Sequence, residues 1–215
     1  MISAVIFDLN GTVLSDEDEY GLAFKRVLES LGADVESDQP HVSGIGVEEN
    51  WPDLLKIYDI KTSKNPKELA IETQNEYRKQ IADVTVRDGF EQFALSLKED
   101  GVPTALATSN TWRMVDEVFQ KLDIEKYFNV VTTREEVLYT KPDPEIFIIT
   151  AQKLHADPTR CVVFEDSKAG IKAAKMAGMK AVGVAQNEEH AKGLNSADLV
   201  IFDYNDISTD ILNKE

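Results

Sequence analysis

The sequence has little cysteine, few basic residues and no long apolar run. Cys161 is the only cysteine among 215 residues, which excludes an intrachain disulfide and a zinc site built from cysteines. Its apolar neighbours at 162–164 favour a small core residue over a nucleophile. No run approaches the roughly 20 apolar residues of a membrane span, and no basic region precedes a long apolar segment at the N-terminus. We therefore expect a cytoplasmic protein without a signal peptide or membrane contact.

Basic residues are outnumbered by acidic ones. The chain has 23 Lys and Arg against 39 Asp and Glu, for a net charge of −16. Nucleic-acid affinity comes mostly from basic side chains that neutralise phosphates, so we expect no nucleic-acid partner. A phosphorylated substrate would need a local cation in this acidic protein. The 42% hydrophobic and 29% charged residues are typical of a globular domain.

Short apolar runs alternate with helical patterns along most of the chain. Continuous apolar runs indicate strands that are covered on both faces, and a β-α alternation indicates a parallel sheet between helices. The sequence therefore predicts an α/β core, a doubly wound, Rossmann-like parallel sheet. The expected strands are 4–7, 104–108, 130–131, 162–164, 181–184 and 199–202.

The segment from about 15 to 86 breaks this rhythm, because its pattern indicates helices only. Leu22, Val27 and Leu28 share one helix face, with Gly32 as the expected stop. Pro66 is the expected start of another helix. We expect residues 1–14 and 87–215 to form the core and residues 15–86 to form an inserted helical domain.

The most informative segment is 7–12, with the sequence FDLNGT. Ligand sites of open α/β sheets lie beyond the carboxyl ends of the strands, which is where Asp8 falls. Asn10-Gly11 is also a hairpin-turn signal, and that alternative stays open from this segment alone. A calcium loop is excluded because its glycine comes at the sixth position, whereas Gly11 is fourth from Asp8.

Three further segments follow other predicted strands or precede a helix. Thr108-Ser109-Asn110 offers hydroxyl and backbone N–H groups to an anion. Lys141 precedes the helix expected from Glu145 and is a candidate phosphate clamp. Glu165-Asp166 ends another strand, where adjacent carboxylates repel unless a cation lies between them. Asp8 and Asp166 together predict an oxygen-rich site suited to Mg²⁺.

The ordered segments FDLNGT, ATSN, KPDPEIF and FEDSKAG make the chain resemble the haloacid dehalogenase superfamily. More narrowly, it resembles the branch that contains phosphoglycolate phosphatase-like enzymes and β-phosphoglucomutase. The resemblance covers about residues 1–14 and 87–205, and the helical insert lies where this branch carries a cap domain. It implies a Mg²⁺-dependent phosphatase that acts on a small phosphorylated metabolite. We expect a monomer or weak homodimer.

The resemblance also implies a role for each matching residue. Asp8 would be the nucleophile that becomes an aspartyl-phosphate. Mg²⁺ would be held by the Asp8 carboxylate, the backbone carbonyl of Asn10 and the Asp166 carboxylate, with Glu165 nearby or as a direct ligand. The implied catalytic set is Asp8, Asn10, Thr108 and Lys141, and the implied phosphate-binding set is Gly11, Thr108, Ser109, Asn110 and Lys141.

Asn10 departs from the family pattern, which usually has a second aspartate there as general acid and base. The metal contact comes from the backbone, so metal binding should survive. A carboxamide does not exchange a proton at neutral pH, and loss of a general acid–base group costs roughly 10²–10⁴-fold in rate. Three interpretations stay open: a slow or specialised phosphatase, a substitution introduced to trap substrate, and a binding protein for a phosphorylated ligand.

Two other activities of the superfamily fit less well. The dehalogenases need no metal and do not call for Asp166 beside Glu165. The mutases use a histidine near the first cap helix and a cap arginine for a second phosphate, whereas this chain has Tyr20 and Glu48-Glu49 at the corresponding places. With no cation there, a bisphosphate would be poorly held, which favours the phosphatase.

The remaining polar and aromatic residues predict ordinary structural roles. The acidic run at 16–19 is expected to be a solvated helix start. His41, His155 and His190 are too scattered for a metal site. His41 is expected to be exposed in a loop with Ser43 and Gly44, and Trp51 and Trp112 are expected to pack in the interior.

Overall fold

A six-stranded parallel sheet forms the centre of the chain. The computed structural model describes residues 2–42 and 46–212, the last two by backbone only. The sheet has the strand order β5-β4-β1-β6-β7-β8, and every neighbouring pair is parallel. Its strands are β1 (Ala4–Phe7), β4 (Thr104–Ala107), β5 (Val130–Thr132), β6 (Cys161–Glu165), β7 (Lys180–Val184) and β8 (Leu199–Ile201). The predicted α/β fold with a parallel, Rossmann-like sheet is confirmed.

The strand order places β1 at the point where the direction of sheet growth reverses. From β1 the chain continues to β4 and β5 on one side, and then crosses over to β6, β7 and β8 on the other. Ligands of open α/β sheets bind at such a point, beyond the carboxyl ends of the strands. The fold therefore brings the ends of β1, β4 and β6 to one place.

Helices cover both faces of the sheet, which explains the continuous apolar runs. On one face Phe7 packs against Phe90 and Phe164, with ring centroids 5.3 and 5.1 Å apart. On the other face Ile6 belongs to a second core cluster with Phe147. Cys161 is buried there, as predicted. The helices of the core are α4 (Phe90–Glu99), α5 (Trp112–Leu122), α6 (Glu145–Lys153), α7 (Lys168–Met176), α8 (Glu188–Gly193) and α9 (Thr209–Leu212).

A block of three helices is inserted after β1, and we call α1–α3 the helical block. Its members are α1 (Glu17–Ser30), α2 (Val47–Ile57) and α3 (Pro66–Arg78). Pro66 begins α3 as predicted, and Asn65 and Glu68 cap its N-terminus reciprocally. The interpretation of 15–86 as helices only is wrong at both ends, because β2 (Leu14–Ser15) pairs antiparallel with β3 (Thr85–Val86). Two-residue strands are too short to show a period of two.

Polar contacts connect the helical block to the core. Arg78 in α3 donates from Nε to Glu117 in α5 at 2.6 Å, and Arg134 contacts Glu49 at 3.3 Å.

Of the two tryptophans, Trp51 is fully buried as expected, whereas Trp112 at the start of α5 is 49% exposed. Trp112 is the first residue of α5, so no preceding helical turn covers that side of its ring. In the described ranges, every helix is too short or too polar to cross a bilayer.

Candidate active site

The carboxyl ends of three strands bring the predicted polar residues together. Asp8 follows β1, Thr108 follows β4, and Asp166 follows β6. The backbone N–H of Asp8 donates to the carbonyl of Phe164 at 3.0 Å, which ties the end of β1 to β6. The hairpin alternative for Asn10-Gly11 is wrong, because β1 pairs only with parallel strands and Gly11 turns the chain towards β2 with a φ of 67°.

Lys141 is buried at the centre of these strand ends. Its Nζ donates to Asp8 Oδ1, to Glu165 Oε1 at 2.6 Å and to the carbonyl of Ala107 at 3.4 Å. Burial acts to lower the pKa of Lys141, but the Asp8 and Glu165 carboxylates outweigh it and hold the pKa above its usual value. The ammonium is therefore charged, which makes Lys141 a buried cation at the ends of the strands.

Glu165 is fully buried and both of its oxygens are engaged. Oε1 accepts from Lys141, and Oε2 accepts from Ser167 through its backbone N–H at 2.8 Å and its hydroxyl at 2.7 Å. Gly170 leaves room for this carboxylate, since a Cβ at position 170 would overlap it. These contacts make Glu165 the residue that positions Lys141.

The carboxylates of Asp8, Glu165 and Asp166 form a cluster that fits a divalent cation. One oxygen from each lies within 4.8 Å of the other two. Burial, followed by the negative charges of Glu17, Glu165 and Asp8, raises the pKa of Asp166 well above its ordinary value. Asp166 Oδ2 has no hydrogen-bond partner among the described residues. Buried carboxylate oxygens without donors are the ligands that Mg²⁺ prefers.

Two further residues shape the carboxylate cluster: Gly11, which belongs to the predicted phosphate-binding set, and His190, which lies outside every predicted set. Gly11 lies against it, because a Cβ at position 11 would overlap Asp166 Oδ2. His190 in α8 holds the backbone beside it, with Nε2 at 2.7 Å from the carbonyl of Asp166 and Nδ1 accepting from the Gln186 N–H at 3.2 Å. The lone histidine gave no signal in the sequence, because its partners are backbone atoms.

Asn10 is fixed by hydrogen bonds on both sides of its amide. Its Nδ2 donates to Asp16, and its Oδ1 accepts from Asn110. Asp16 also accepts from the Gly11 N–H at 2.9 Å and from the Tyr77 hydroxyl at 2.6 Å. Burial raises the pKa of Asp16 to about 7, although the Tyr77 hydrogen bond opposes the shift.

The expectation of a solvated acidic helix start is therefore wrong for its first two residues. Asp16 and Glu17 are 1% and 7% exposed, while Asp18 is exposed. The donors that draw Asp16 inwards come from Gly11 and from Tyr77, 61 positions away. A pattern of consecutive acidic residues does not contain that information.

Thr108, Ser109 and Asn110 line the same cleft as Asp8 and Asn10. Thr108 is buried, and its Oγ1 accepts from the Asn110 N–H at 3.1 Å. The Asn110 Oδ1 accepts from the Tyr20 hydroxyl of α1 at 3.0 Å. Asn110 thus joins the core side of the cleft to the helical block.

The cleft lies between the strand ends and the helical block. His41 lies in its wall, which overturns the expectation of an exposed side chain, since only 6% of it is accessible. Its ring stacks on Phe24 with centroids 4.7 Å apart. The aromatic neighbour explains the burial. Ser43 and Gly44, expected in the same loop, lie outside the described residues.

Comparison with known proteins agrees with this arrangement. The chain is 34% identical over 203 residues to the phosphorylated carbohydrates phosphatase of Thermotoga maritima, covering 93% of each protein. It is 30% identical over 221 residues to β-phosphoglucomutase of Bacillus subtilis, covering 100% of this chain and 95% of the relative. The crystal structure of β-phosphoglucomutase from Clostridium difficile superposes with a TM-score of 0.85 at 26% identity, covering 99% of this chain and 96% of that one.

The family model described as haloacid dehalogenase-like hydrolase matches residues 5–184. This range runs from β1 to the end of β7 and includes Asp8, Lys141 and Asp166. The chain therefore belongs to the haloacid dehalogenase-like hydrolase family.

Proposed function

We propose that the protein is a Mg²⁺-dependent phosphatase of small phosphorylated sugars, with Asp8 as its nucleophile. The observation that carries the proposal is the buried cluster of Asp8, Lys141 and Asp166 at the carboxyl ends of three strands. It combines a carboxylate nucleophile, a fixed cation and a metal-binding oxygen set next to a cleft. The similarity to a phosphatase of phosphorylated carbohydrates supports the same reaction class.

In this reaction an Asp8 oxygen attacks phosphorus and the bond to the leaving-group oxygen breaks. Water then hydrolyses the aspartyl-phosphate to inorganic phosphate and restores Asp8. Lys141 neutralises the phosphoryl oxygens, while the Thr108 hydroxyl and the Ser109 N–H orient them. Asp8, the Asn10 carbonyl and Asp166 would hold Mg²⁺, which would supply further charge neutralisation.

The helical block acts as the cap, with the boundaries at residues 15 and 86. Tyr20 and Glu49 are its contacts with the core beside the cleft. When these contacts are made, water is excluded from the phosphoryl group, and electrostatic interactions with it become stronger.

Asn10 limits the rate, because its amide does not give a proton to the leaving group or take one from water. Its two hydrogen bonds, to Asp16 and from Asn110, hold the amide in place without supplying that proton. Substrates with good leaving groups are therefore turned over best in the first step. The second step, attack by water on the aspartyl-phosphate, stays slow.

A second candidate is a phospho-ligand-binding protein with negligible turnover. The fixed amide of Asn10 favours it, since binding needs Lys141 and the metal but no proton transfer. A mutase, to which the similarity to β-phosphoglucomutase points, needs a cation in the cap for its second phosphate. The described cleft-lining residues of the helical block include no Lys or Arg.

Release of phosphate from p-nitrophenyl phosphate and from a panel of hexose phosphates tests the proposal. The assay is run with Mg²⁺ and with excess chelator, on the native protein and on Lys141→Met. Metal-dependent release that Lys141→Met abolishes supports the phosphatase. Ligand-induced thermal stabilisation in Mg²⁺ without any release would establish the binding protein instead.

A further inference from the structure

The backbone carbonyl of Asp166 lies just beyond the paired part of the sheet. The last pair between β6 and β7 joins Glu165 to Gly183, so Asp166 comes after the end of this ladder. The residue is buried, and a buried carbonyl needs a hydrogen-bond donor. The ring of His190 in α8 supplies it, with Nε2 at 2.7 Å from the carbonyl oxygen.

The other ring nitrogen of His190 fixes the direction of this hydrogen bond. Nδ1 accepts from the Gln186 backbone N–H at 3.2 Å, so the ring proton lies on Nε2 and is donated to the Asp166 carbonyl. The Asn187 side chain accepts from the backbone N–H of His190 at 2.9 Å and caps α8. Two local contacts within residues 186–190 therefore hold the ring in the orientation that reaches Asp166.

One peptide unit is held from both sides. The carbonyl of Asp166 and the N–H of Ser167 belong to the same planar peptide. The carbonyl accepts from His190, and the N–H donates to Glu165 Oε2 at 2.8 Å. Rotation of this peptide would shift Asp166 and would also break the hydrogen bond to Glu165. The contact with His190 therefore bears on two carboxylates of the cluster at once.

The Asp166 side chain depends on this backbone for its position. Its Oδ1 accepts a long hydrogen bond from Thr12 Oγ1, at 3.4 Å, and its Oδ2 has no hydrogen-bond partner among the described residues. The nearby carboxylates of Asp8 and Glu165 repel it. The main chain is therefore what keeps the Asp166 carboxylate beside the other two.

We propose that His190 is a positioning residue for Mg²⁺, because its hydrogen bond holds the peptide between Asp166 and Ser167 in the orientation that the carboxylate cluster needs. This inference rests on the proposed function, which puts Mg²⁺ at Asp166, and deepens it. Groups that hold a metal ligand in place typically contribute about 10–100-fold to metal affinity. Loss of the His190 contact should therefore weaken the binding of the metal.

Two replacements separate the roles of the two ring nitrogens. His190→Gln keeps an N–H donor at the reach of Nε2, whereas His190→Asn keeps an acceptor at the place of Nδ1 and does not reach the Asp166 carbonyl. Calorimetry with Mg²⁺ alone measures the Kd. We expect His190→Asn to raise the Kd about tenfold or more and His190→Gln to stay within about threefold of the native value. His155→Asn, at an exposed position, is the control and should leave the Kd unchanged.

The Mg²⁺ dependence of phosphate release separates positioning from general damage to the fold. His190→Asn retains every proposed metal ligand, so saturating Mg²⁺ should restore its rate with p-nitrophenyl phosphate to within about threefold of the native rate. The Mg²⁺ concentration for half-maximal release should rise about tenfold, in step with the Kd. A merely structural role would lower the rate at every Mg²⁺ concentration and would not be rescued by His190→Gln.

Equal Mg²⁺ affinity in the native protein and His190→Asn overturns the inference and leaves the metal site intact, and equal losses in His190→Asn and His190→Gln also overturn it. If only His190→Asn loses affinity but the native protein releases no phosphate, the role of His190 stands and the phosphatase fails. Absence of Mg²⁺ binding by the native protein would overturn both the inference and the proposed metal site.

Discussion

The Asn10 amide donates a hydrogen bond to the Asp16 carboxylate, so the amide and the carboxylate form one complementary pair. A carboxylate at position 10 alone would face the Asp16 carboxylate directly. Repulsion between the two would raise the pKa of one and destabilise the fold. A carboxyl group can therefore be introduced at position 10 without this repulsion only when position 16 is changed as well.

We expect Asn10→Asp/Asp16→Asn to hydrolyse a hexose phosphate about 100-fold faster than the native protein, because a carboxyl group at position 10 supplies a general acid–base group. The hydrogen bond between positions 10 and 16 is kept, with the amide at position 16 as the donor. Asn10→Asp alone should gain less and unfold at a lower urea concentration. Steady-state kinetics and urea unfolding of the three proteins check this. If the single variant equals the double variant in rate and stability, the two positions do not act as a pair.

Asp16 gives the stability a definite pH dependence. Its pKa is about 7 in the folded protein against an ordinary value of 3.8, so folding favours the protonated form. The associated stability is present below about pH 4 and is lost as the pH rises through 7. A shift of about three pKa units corresponds to roughly 4 kcal/mol.

In metal-free buffer, the unfolding free energy of the native protein should therefore fall between pH 5 and 8 more steeply than that of Asp16→Asn. Asp18→Asn, at an exposed position, is the control and should keep the native slope. Urea unfolding across this pH range measures the slopes. Parallel curves for the native protein and Asp16→Asn would show that the burial of Asp16 has no such effect.

Lys141→Met should be severe, because it leaves Asp8 and Glu165 buried without their cation. Removing one partner of a buried ion pair costs about 3–5 kcal/mol, and the loss of one charge-stabilising donor costs roughly 10²-fold or more in rate. Lys153→Met is the control, because Lys153 pairs with Glu136 in a half-exposed site and should cost about 1 kcal/mol or less. Similar losses in both variants would refute the special role of Lys141.

Gly170→Ala tests the space that Glu165 occupies. Alanine normally stabilises a helix position by about 0.5–1 kcal/mol relative to glycine. At position 170 the added methyl overlaps Glu165, so we expect a loss of about 1–3 kcal/mol from overpacking and a fall in activity. Gly193→Ala, in α8, contacts only the flexible end of Lys168 and should be mild. A stabilised, active Gly170→Ala would contradict the assigned packing.

The sequence predicted the convergence of Asp8, Thr108 and Glu165-Asp166, because each follows an apolar run and parallel strands end at a common edge. Lys141 carries no periodic signal: its position before the helix expected from Glu145 made it a candidate phosphate clamp, and the family resemblance implied the same role. The expected monomer or weak homodimer stays a prediction, which sedimentation can check.

The rest of the site could not be read from local patterns. Asp16 and Glu17 have the sequence signature of a solvated helix start, and only the fold places Tyr77 and Gly11 beside Asp16. His41 is buried through its contact with Phe24, which lies on another element. These contacts join residues distant along the chain, whereas periodicity and capping rules describe neighbours.

The most direct test of the central claim is the mass of the protein after rapid mixing with p-nitrophenyl phosphate and Mg²⁺ and quenching in acid. Because Asn10 leaves the attack of water without a base, the aspartyl-phosphate should accumulate. We expect a gain of one phosphoryl group on the peptide that contains Asp8, and no gain in Asp8→Asn or in the presence of chelator. Sustained release of phosphate by Asp8→Asn at the native rate would contradict it.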